Sequence, residues 1–380
     1  YPAVGERRMV FAVHEFPVRP DDLGRLPIAP TDVSQFIRLD QCERYLRLRL
    51  HERSVDRNFM RKHGVSPQAL PPLLTREGAA FEQRITGAIA ARFGSLNLAD
   101  RPDAAARPPD NDRVVEAARS LQPADVLVLF QPRLAVVLDR WLVRGDVDVL
   151  RLERDRDGVL RVLVADVKSS ASSKIEHRLQ VAFYREMVLA LFLEHGVPCD
   201  CADVAILYRG PAVGGGATGA LPEADEREQR EAATRAFGLT DALLDVFDDP
   251  GAYARSVRDL VTGPRSVARR AAEAPFEQVG FHLTYRCDGC MYNELCMKRS
   301  AERDDLSLVP HLAINEKSAL LRAGVTSVGQ LAGLKEPRAA GDGDAASVYG
   351  ELVPSHGNEE LVRRLSATWP IGPRLDELVY

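Results

Sequence analysis

Apolar and polar positions alternate most clearly between residues 141 and 168. Two β-branched runs, WLVRGDVDVL (141–150) and VLRVLVADVK (159–168), flank Arg156-Asp157-Gly158. Period-two runs around an Asp-Gly predict two antiparallel strands joined by a turn. The register depends on the loop. An odd loop centred on Asp157 sets Asp148 opposite Asp166 and Asp146 opposite Lys168, with Val147, Val149 and Val167 on the other face. An even, two-residue loop slips the pairing by one and sends the carboxylates to opposite faces. The pattern leaves both open, a three-residue loop with a glycine bulge being common.

The period changes to 3.6 over residues 75–93, where Phe81, Ile85 and Ile89 form an apolar stripe bordered by Glu82. Further helices are predicted over 31–39, with Thr31 as N-cap, and over 172–194, 223–245 and 253–261. Strands are expected at 203–208 and, on an edge, at 9–13. Residues 210–219, with three consecutive glycines, read as a loop; no lysine follows them, which excludes a P-loop. Residues 317–331 resemble a helix-hairpin-helix unit turning at Gly324, a type that often holds DNA through its turn amides and is otherwise a small packing module. A Gly/Ala/Asp linker at 339–346 follows.

A chain of 380 residues, 45% hydrophobic and 28% charged, fits two or three globular domains. No apolar run approaches the roughly 20 residues of a membrane span and no signal pattern opens the chain, so it reads as cytoplasmic. The ending LDELVY resembles an interrupted helix, which suggests a longer natural polypeptide. A net charge of −5 gives no global argument for nucleic-acid binding. Residues 44–62 are locally basic, with Arg44, Arg47, Arg49, Arg53, Arg57, Arg61 and Lys62, a pattern equally suited to tracking phosphates or to a solvated helix face.

Two facing aspartates beside a lysine are costly on a core strand unless paired or bound to metal. Hard oxygen ligands favour Mg²⁺ or Mn²⁺, and Lys168 is placed to orient or deprotonate a water. Gln180 and Tyr184, four apart on the following helix, share a face suited to touching a phosphodiester strand; His177 joins it as a lesser candidate. Cys287-x2-Cys290-x5-Cys296 reads as a metal site in a reducing compartment, with Cys42 as an early partner. Spacing alone leaves zinc and an iron–sulfur cluster open. Cys199 and Cys201 read as simple thiols.

The order Gly145-x-x-Asp148, Asp166-x-Lys168, Gln180-x-x-x-Tyr184, with Glu82 on an upstream helix, resembles the PD-(D/E)xK nuclease superfamily and its RecB-like branch. Phe81 stands where that branch often has a histidine ligand, which moves weight onto Glu82. The cysteine arrangement resembles the AddB-type and CRISPR-associated RecB-like iron–sulfur nucleases. The resemblance implies an α/β fold: a restriction-endonuclease-like mixed sheet flanked by helices, a four-cysteine iron–sulfur clasp and a helical C-terminal appendage. It implies an N-terminal segment (1–30), a nuclease domain (31–300) and a helical region (301–380). It further implies a metal-dependent DNA nuclease, in particular an exonuclease, acting in repair, recombination or processing. Asp148, Asp166, Glu82 and the Val167 carbonyl would bind Mg²⁺ or Mn²⁺, and Lys168 would position the nucleophile. Gln180 and Tyr184 would orient DNA, and Asp146 would be an outer or alternative ligand. Cys42, Cys287, Cys290 and Cys296 would bind a structural [4Fe–4S] cluster, and a helicase domain, fused or separate, would be a partner. The alternatives are a catalytically silent iron–sulfur DNA-binding scaffold and a zinc-stabilised interaction module.

Overall fold

One long hairpin organises the first half of the chain, and its kink makes the site. In the computed structural model, which describes residues 15–59, 72–99, 107–199, 201–210, 222–333, 335–336 and 351–352, the chain divides into two units. These are Tyr1–Phe59 with Ala69–Val279, and Met60–Gln68 with Gly280–Tyr380. The first contains β1 (Leu26–Ile28), α1 (Pro30–Arg38), α2 (Glu43–Ser54), α3 (Pro72–Ala90), β2 (Gly94–Asn97), α4 (Asn111–Ser120), β3 (Val126–Phe130), β4 (Arg133–Leu138) and β5 (Trp141–Asp146). It continues through β6 (Val149–Arg154), β7 (Leu160–Lys168), α5 (Ile175–Glu194), β8 (Cys201–Tyr208), α6 (Glu223–Phe237), β9 (Leu243–Val246), α7 (Pro250–Val257) and α8 (Val267–Glu273).

A six-stranded mixed sheet runs β2-β3-β6-β7-β8-β9, and a three-stranded sheet runs β1-β5-β4. Arg133 pairs with Asp146 in β4–β5 and Phe130 with Val149 in β3–β6, so β3–β4 and β5–β6 form one continuous ribbon that passes from sheet to sheet. At the crossing, Val147 N–H donates to the Pro132 carbonyl (3.0 Å) and Gln131 N–H to the Asp148 carbonyl (3.1 Å). The single strand expected over 141–150 is thereby divided. Asp146 stays in the small sheet opposite Arg133, not opposite Lys168.

The β6–β7 hairpin takes the odd register. Val149 pairs with Ala165 and Arg154 with Leu160, which brings Asp148 level with Asp166. Asp155 N–H donates to the Val159 carbonyl and Gly158 N–H to the Asp155 carbonyl, closing a three-residue turn with Gly158 at φ +83. That left-handed residue is the one a glycine accepts without penalty.

Helix α3 lays Phe81, Ile85 and Ile89 on one face of the sheet, against Val128, Val149, Ala165, Val167 and Leu207. Helix α5 is the crossover between parallel β7 and β8. It is buried at six consecutive positions from Leu179 to Tyr184. The helix expected over 223–245 stops at Phe237, because Gly238 turns left-handed (φ 68) and β9 then adds antiparallel to β8. Helix α1 begins at Pro30; Asp32, not Thr31, closes it by accepting the Ala29 N–H (2.9 Å). The second unit holds α9 (Asn293–Glu302), α10 (Ile314–Ala323) and α11 (Val328–Ala332) around Leu306, Leu312, Leu320, Val325 and Leu331. The expected edge strand at 9–13, the loop 211–219 and nearly all of 337–380 lie outside the described residues.

Candidate active site

The kinked ribbon and the β6–β7 hairpin bring Asp148, Asp166 and Lys168 together at one end of the sheet. Asp148 Oδ2 accepts the Val167 N–H at 2.9 Å. Lys168 Nζ lies 2.7 Å from Asp166 Oδ2 and 3.9 Å from Asp148 Oδ2. Asp166 is 1% exposed, and its Oδ2 makes no hydrogen bond beyond that ionic contact. Glu82 arrives from α3, its Oε1 accepting from Gln131 Nε2 at 2.6 Å.

Burial pushes the Asp166 carboxyl well above the usual carboxylate range; Lys168 opposes the shift, and the charge and direct contact of Asp148 add to it. Glu82 is also raised, by burial and then by Asp148. For Lys168, burial works against the charged form, but Asp166, Asp148 and Glu82 outweigh it and its pKa rises. Lys168 therefore stays an ammonium at neutral pH.

The side chains expected to face a nucleic-acid strand point inward. Gln180 is 7% and Tyr184 2% exposed. Gln180 Nε2 sits 3.4 Å from Asp166 Oδ1. Tyr184 packs on Gly145, where an added Cβ would come within 2.7 Å of Cε1. The Gly145 and Tyr184 motif positions are thus one packing contact, and burial drives the Tyr184 hydroxyl pKa well up. Helix α5 is buried from Leu179 to Tyr184 and again at Met187, Val188, Leu191 and Phe192, which puts Gln180 and Tyr184 in its packed stretch. His177 is half-buried and its Nδ1 has no hydrogen-bond partner; burial and then Lys168 lower its pKa to about 4, so it is neutral.

Asp146 is taken by arginines. Arg133 grips it with Nε (2.7 Å) and Nη2 (2.9 Å), and Arg107 reaches it at 3.2 Å. That explains why it does not stand beside Lys168. Val167 buries its side chain in the core and lends its N–H to Asp148.

Sequence reasoning missed Gln131. Its Nε2 touches both Glu82 and Asp148, the latter at 3.2 Å. It is a non-glycine residue at φ +52, a conformation that costs on the order of 1–3 kcal/mol. Arg107 holds it there by donating to its carbonyl at 2.8 Å. A left-handed residue before Pro132 has no sequence signature; the Asp-Arg turn at 139–140 that closes the ribbon lacks the usual glycine.

Among the described residues, no three His, Cys, Asp or Glu side chains converge as a metal-holding group. At the carboxylates, the Gln131 amide and the Lys168 ammonium bridge the acids. The donor set still suits a divalent cation: hard oxygens, one of them buried without a hydrogen bond.

Cys42 precedes α2 in the first unit, and the other three cysteines belong to the second. None of the four is in a disulfide. Backbone N–H groups of Thr284 and Tyr292 donate to the sulfurs of Cys287 (3.4 Å) and Cys290 (3.5 Å).

Gly324 is left-handed as expected (φ 95), but the hairpin's amides are engaged internally. Val325 N–H donates to Leu320, Thr326 N–H to Gln330, Val328 N–H to the Asp304 carbonyl and Gly329 N–H to the Asp304 carboxylate. This unit is built for packing rather than for a phosphate.

A model of the PD-(D/E)XK nuclease superfamily matches residues 50–297, more than half of the chain. The chain belongs to the PD-(D/E)XK nuclease superfamily. The matched segment contains Glu82, Asp148, Asp166 and Lys168. Nothing among curated proteins matches. Among solved structures, the chain is similar to SSO0001 at 11% identity, over 71% of this chain and 85% of that one, with a TM-score of 0.26. No described helix is long and apolar enough to cross a membrane.

Proposed function

We propose that this PD-(D/E)XK nuclease is a Mg²⁺- or Mn²⁺-dependent deoxyribonuclease, acting as an exonuclease in DNA repair, recombination or processing. What supports it most is the Asp148–Asp166–Lys168 cluster, in which a buried carboxylate oxygen has only an ammonium for company. Asp148, Asp166, Glu82 and the Val167 carbonyl would hold the cation. The bound cation supplies Lewis-acid polarisation of a phosphoryl oxygen and makes a water acidic at neutral pH. Lys168, held charged by the acids, stabilises the negative charge that develops on the phosphoryl oxygens. Gln180 and Tyr184 act from beneath, fixing Asp166 and the ribbon at Gly145.

Cys42, Cys287, Cys290 and Cys296 are proposed, from the resemblance of their arrangement to the iron–sulfur RecB-like nucleases, to bind a [4Fe–4S] cluster with a structural role. A DNA-processing partner such as a helicase, fused or separate, is proposed on the same resemblance.

The test is cleavage of end-labelled single- and double-stranded DNA by anaerobically purified protein, with Mg²⁺, Mn²⁺ or EDTA, wild type beside Lys168→Ala. Cation-dependent cleavage shortening the DNA from an end, lost in the variant, is expected. Equal cleavage by both, or none by the wild type, overturns the reading. Iron and acid-labile sulfide in equal amounts are expected in the same preparation; zinc in their place overturns the cluster assignment.

A further inference from the structure

With Gln180 and Tyr184 buried, the substrate strand has to be held by other side chains. The basic run at the start of the chain supplies them once its members are sorted by what they touch. Arg44 is buried over the Phe276 ring. Arg47 is buried too, donating to the carbonyls of Phe16 (2.7 Å), Ala271 (2.8 Å), Ala272 (3.0 Å) and Ala274 (2.7 Å), and so ties off the end of α8. These two hold the fold together.

The remaining arginines turn the other way. Arg49 and Arg53, one turn apart on α2, and Arg57 in the turn after it line a cavity of about 330 Å³, closed from below by Leu142 and Arg144 of β5. Asp32 and Glu52 account for the first two: Arg49 lies 3.0 Å from Asp32 and 2.7 Å from Glu52, and Arg53 lies 2.6 Å from Asp32. Arg57 and Arg144 are exposed and have no carboxylate partner among the described residues. With Asp32 counted beside Glu52, four guanidiniums stand against two carboxylates in a protein whose net charge is −5. Arg144 is also four residues from Asp148 along the chain, so their Cα atoms are at most about 14 Å apart.

We propose that this groove binds backbone phosphates of the nucleic-acid substrate a few nucleotides from the bond that is cut, with Arg57 and Arg144 as the contacting residues. The proposal rests on the nuclease reading. Guanidiniums suit the role because their planar fork matches two phosphate oxygens, and the ion pairs of Arg49 and Arg53 with Asp32 fix one wall before the ligand arrives.

The test is equilibrium binding of a labelled single-stranded 20-mer DNA in EDTA, across a salt series, by the full chain. Arg57→Glu/Arg144→Glu is compared with Arg227→Glu/Arg235→Glu, which makes the same charge change at exposed sites on α6. Arg57→Ala/Arg144→Ala, with melting temperature recorded, guards against misfolding from the reversed charges. The groove variants are expected to bind at least about 10-fold more weakly. The slope of log K against log[salt] is expected to flatten by about 0.7 for each phosphate that the groove no longer neutralises. The α6 variant should bind like the wild type. Unchanged affinity and slope in the groove variants, or an equal loss in the α6 variant, overturns the proposal. If the wild type binds and cleaves DNA while the groove variants match it, this inference alone fails. If the wild type does neither, the nuclease reading fails with it.

Discussion

Two lysine–aspartate pairs in this protein have the same 2.7 Å separation and opposite characters. In the second unit, Lys317 spends its ammonium on Asp305 Oδ1 (2.7 Å), Ser307 Oγ (2.6 Å) and the Phe281 carbonyl (3.3 Å), and lies over the Phe281 ring. Burial alone would raise the Asp305 pKa, but Lys317 and the Ser307 N–H (2.8 Å) hold it below the usual range. All three donors of the ammonium are matched, and the pair joins α10 to the turn before it. In the first unit, Asp166 has an oxygen with no hydrogen bond, a carboxylate neighbour in Asp148, and a raised pKa. A matched buried pair stabilises a fold; an unmatched one is unfavourable until something cationic completes it.

That contrast can be broken by substitution, beginning with the matched pair. Lys317→Met leaves the partly buried Asp305 carboxylate without its cation and is expected to cost about 1–3 kcal/mol, read as an early urea transition of the second unit. A variant as stable as the wild type would mean the network is not saturated as drawn. Lys168→Ala should do the reverse. A quarter of the Lys168 side chain is exposed. Asp166, already raised, takes up a proton when the ammonium is gone, so the melting temperature changes little while cleavage falls about 10²–10³-fold.

Gln131 sharpens the comparison because it does for Glu82 and Asp148 what Ser307 does for Lys317, but by bridging two acids. Gln131→Gly keeps the left-handed backbone and removes the amide. Mn²⁺ affinity, measured by calorimetry without substrate, is expected to weaken by about 10–100-fold with the melting temperature held. Unchanged affinity would reduce Gln131 to a turn residue.

The smallest effect is in pH. Glu82 and Asp166 have folded-state pKa values above their unfolded ones, so their contribution to stability is complete below the ordinary carboxylate range. It is lost as pH rises through the raised values. A bound cation offsets that loss. The Mn²⁺-induced rise in melting temperature should therefore grow from pH 4.5 to pH 8, and Glu82→Gln should flatten the trend. A shift independent of pH would contradict the assignment of these two carboxyls.

Much of this centre is legible in the sequence, and the failures have causes. The β6–β7 hairpin and its turn at Asp157-Gly158 are legible, but the odd register that sets Asp148 level with Asp166 is one of two that the pattern allows, and the structure selects it. Phe81, Ile85 and Ile89 announce the face of α3 that presents Glu82. The ribbon from β3 to β6 is not legible, since its Asp139-Arg140 turn carries no glycine and Pro132 reads as a breaker inside it. From that one gap come the displaced Asp146 and the unseen Gln131. Reading Gln180 and Tyr184 as facing the nucleic acid had a remedy in the sequence itself: the apolar Val181-Ala182-Phe183 between them marks the buried stretch of the helix.

The central claim is that the unmatched carboxylates are a cation site, and calorimetric titration of Mn²⁺ into cation-free protein, wild type beside Asp166→Asn, tests it most directly. Saturable binding by the wild type that Asp166→Asn abolishes, with its melting temperature preserved, is the predicted result. Equal binding by both proteins, or none by the wild type, would contradict the account.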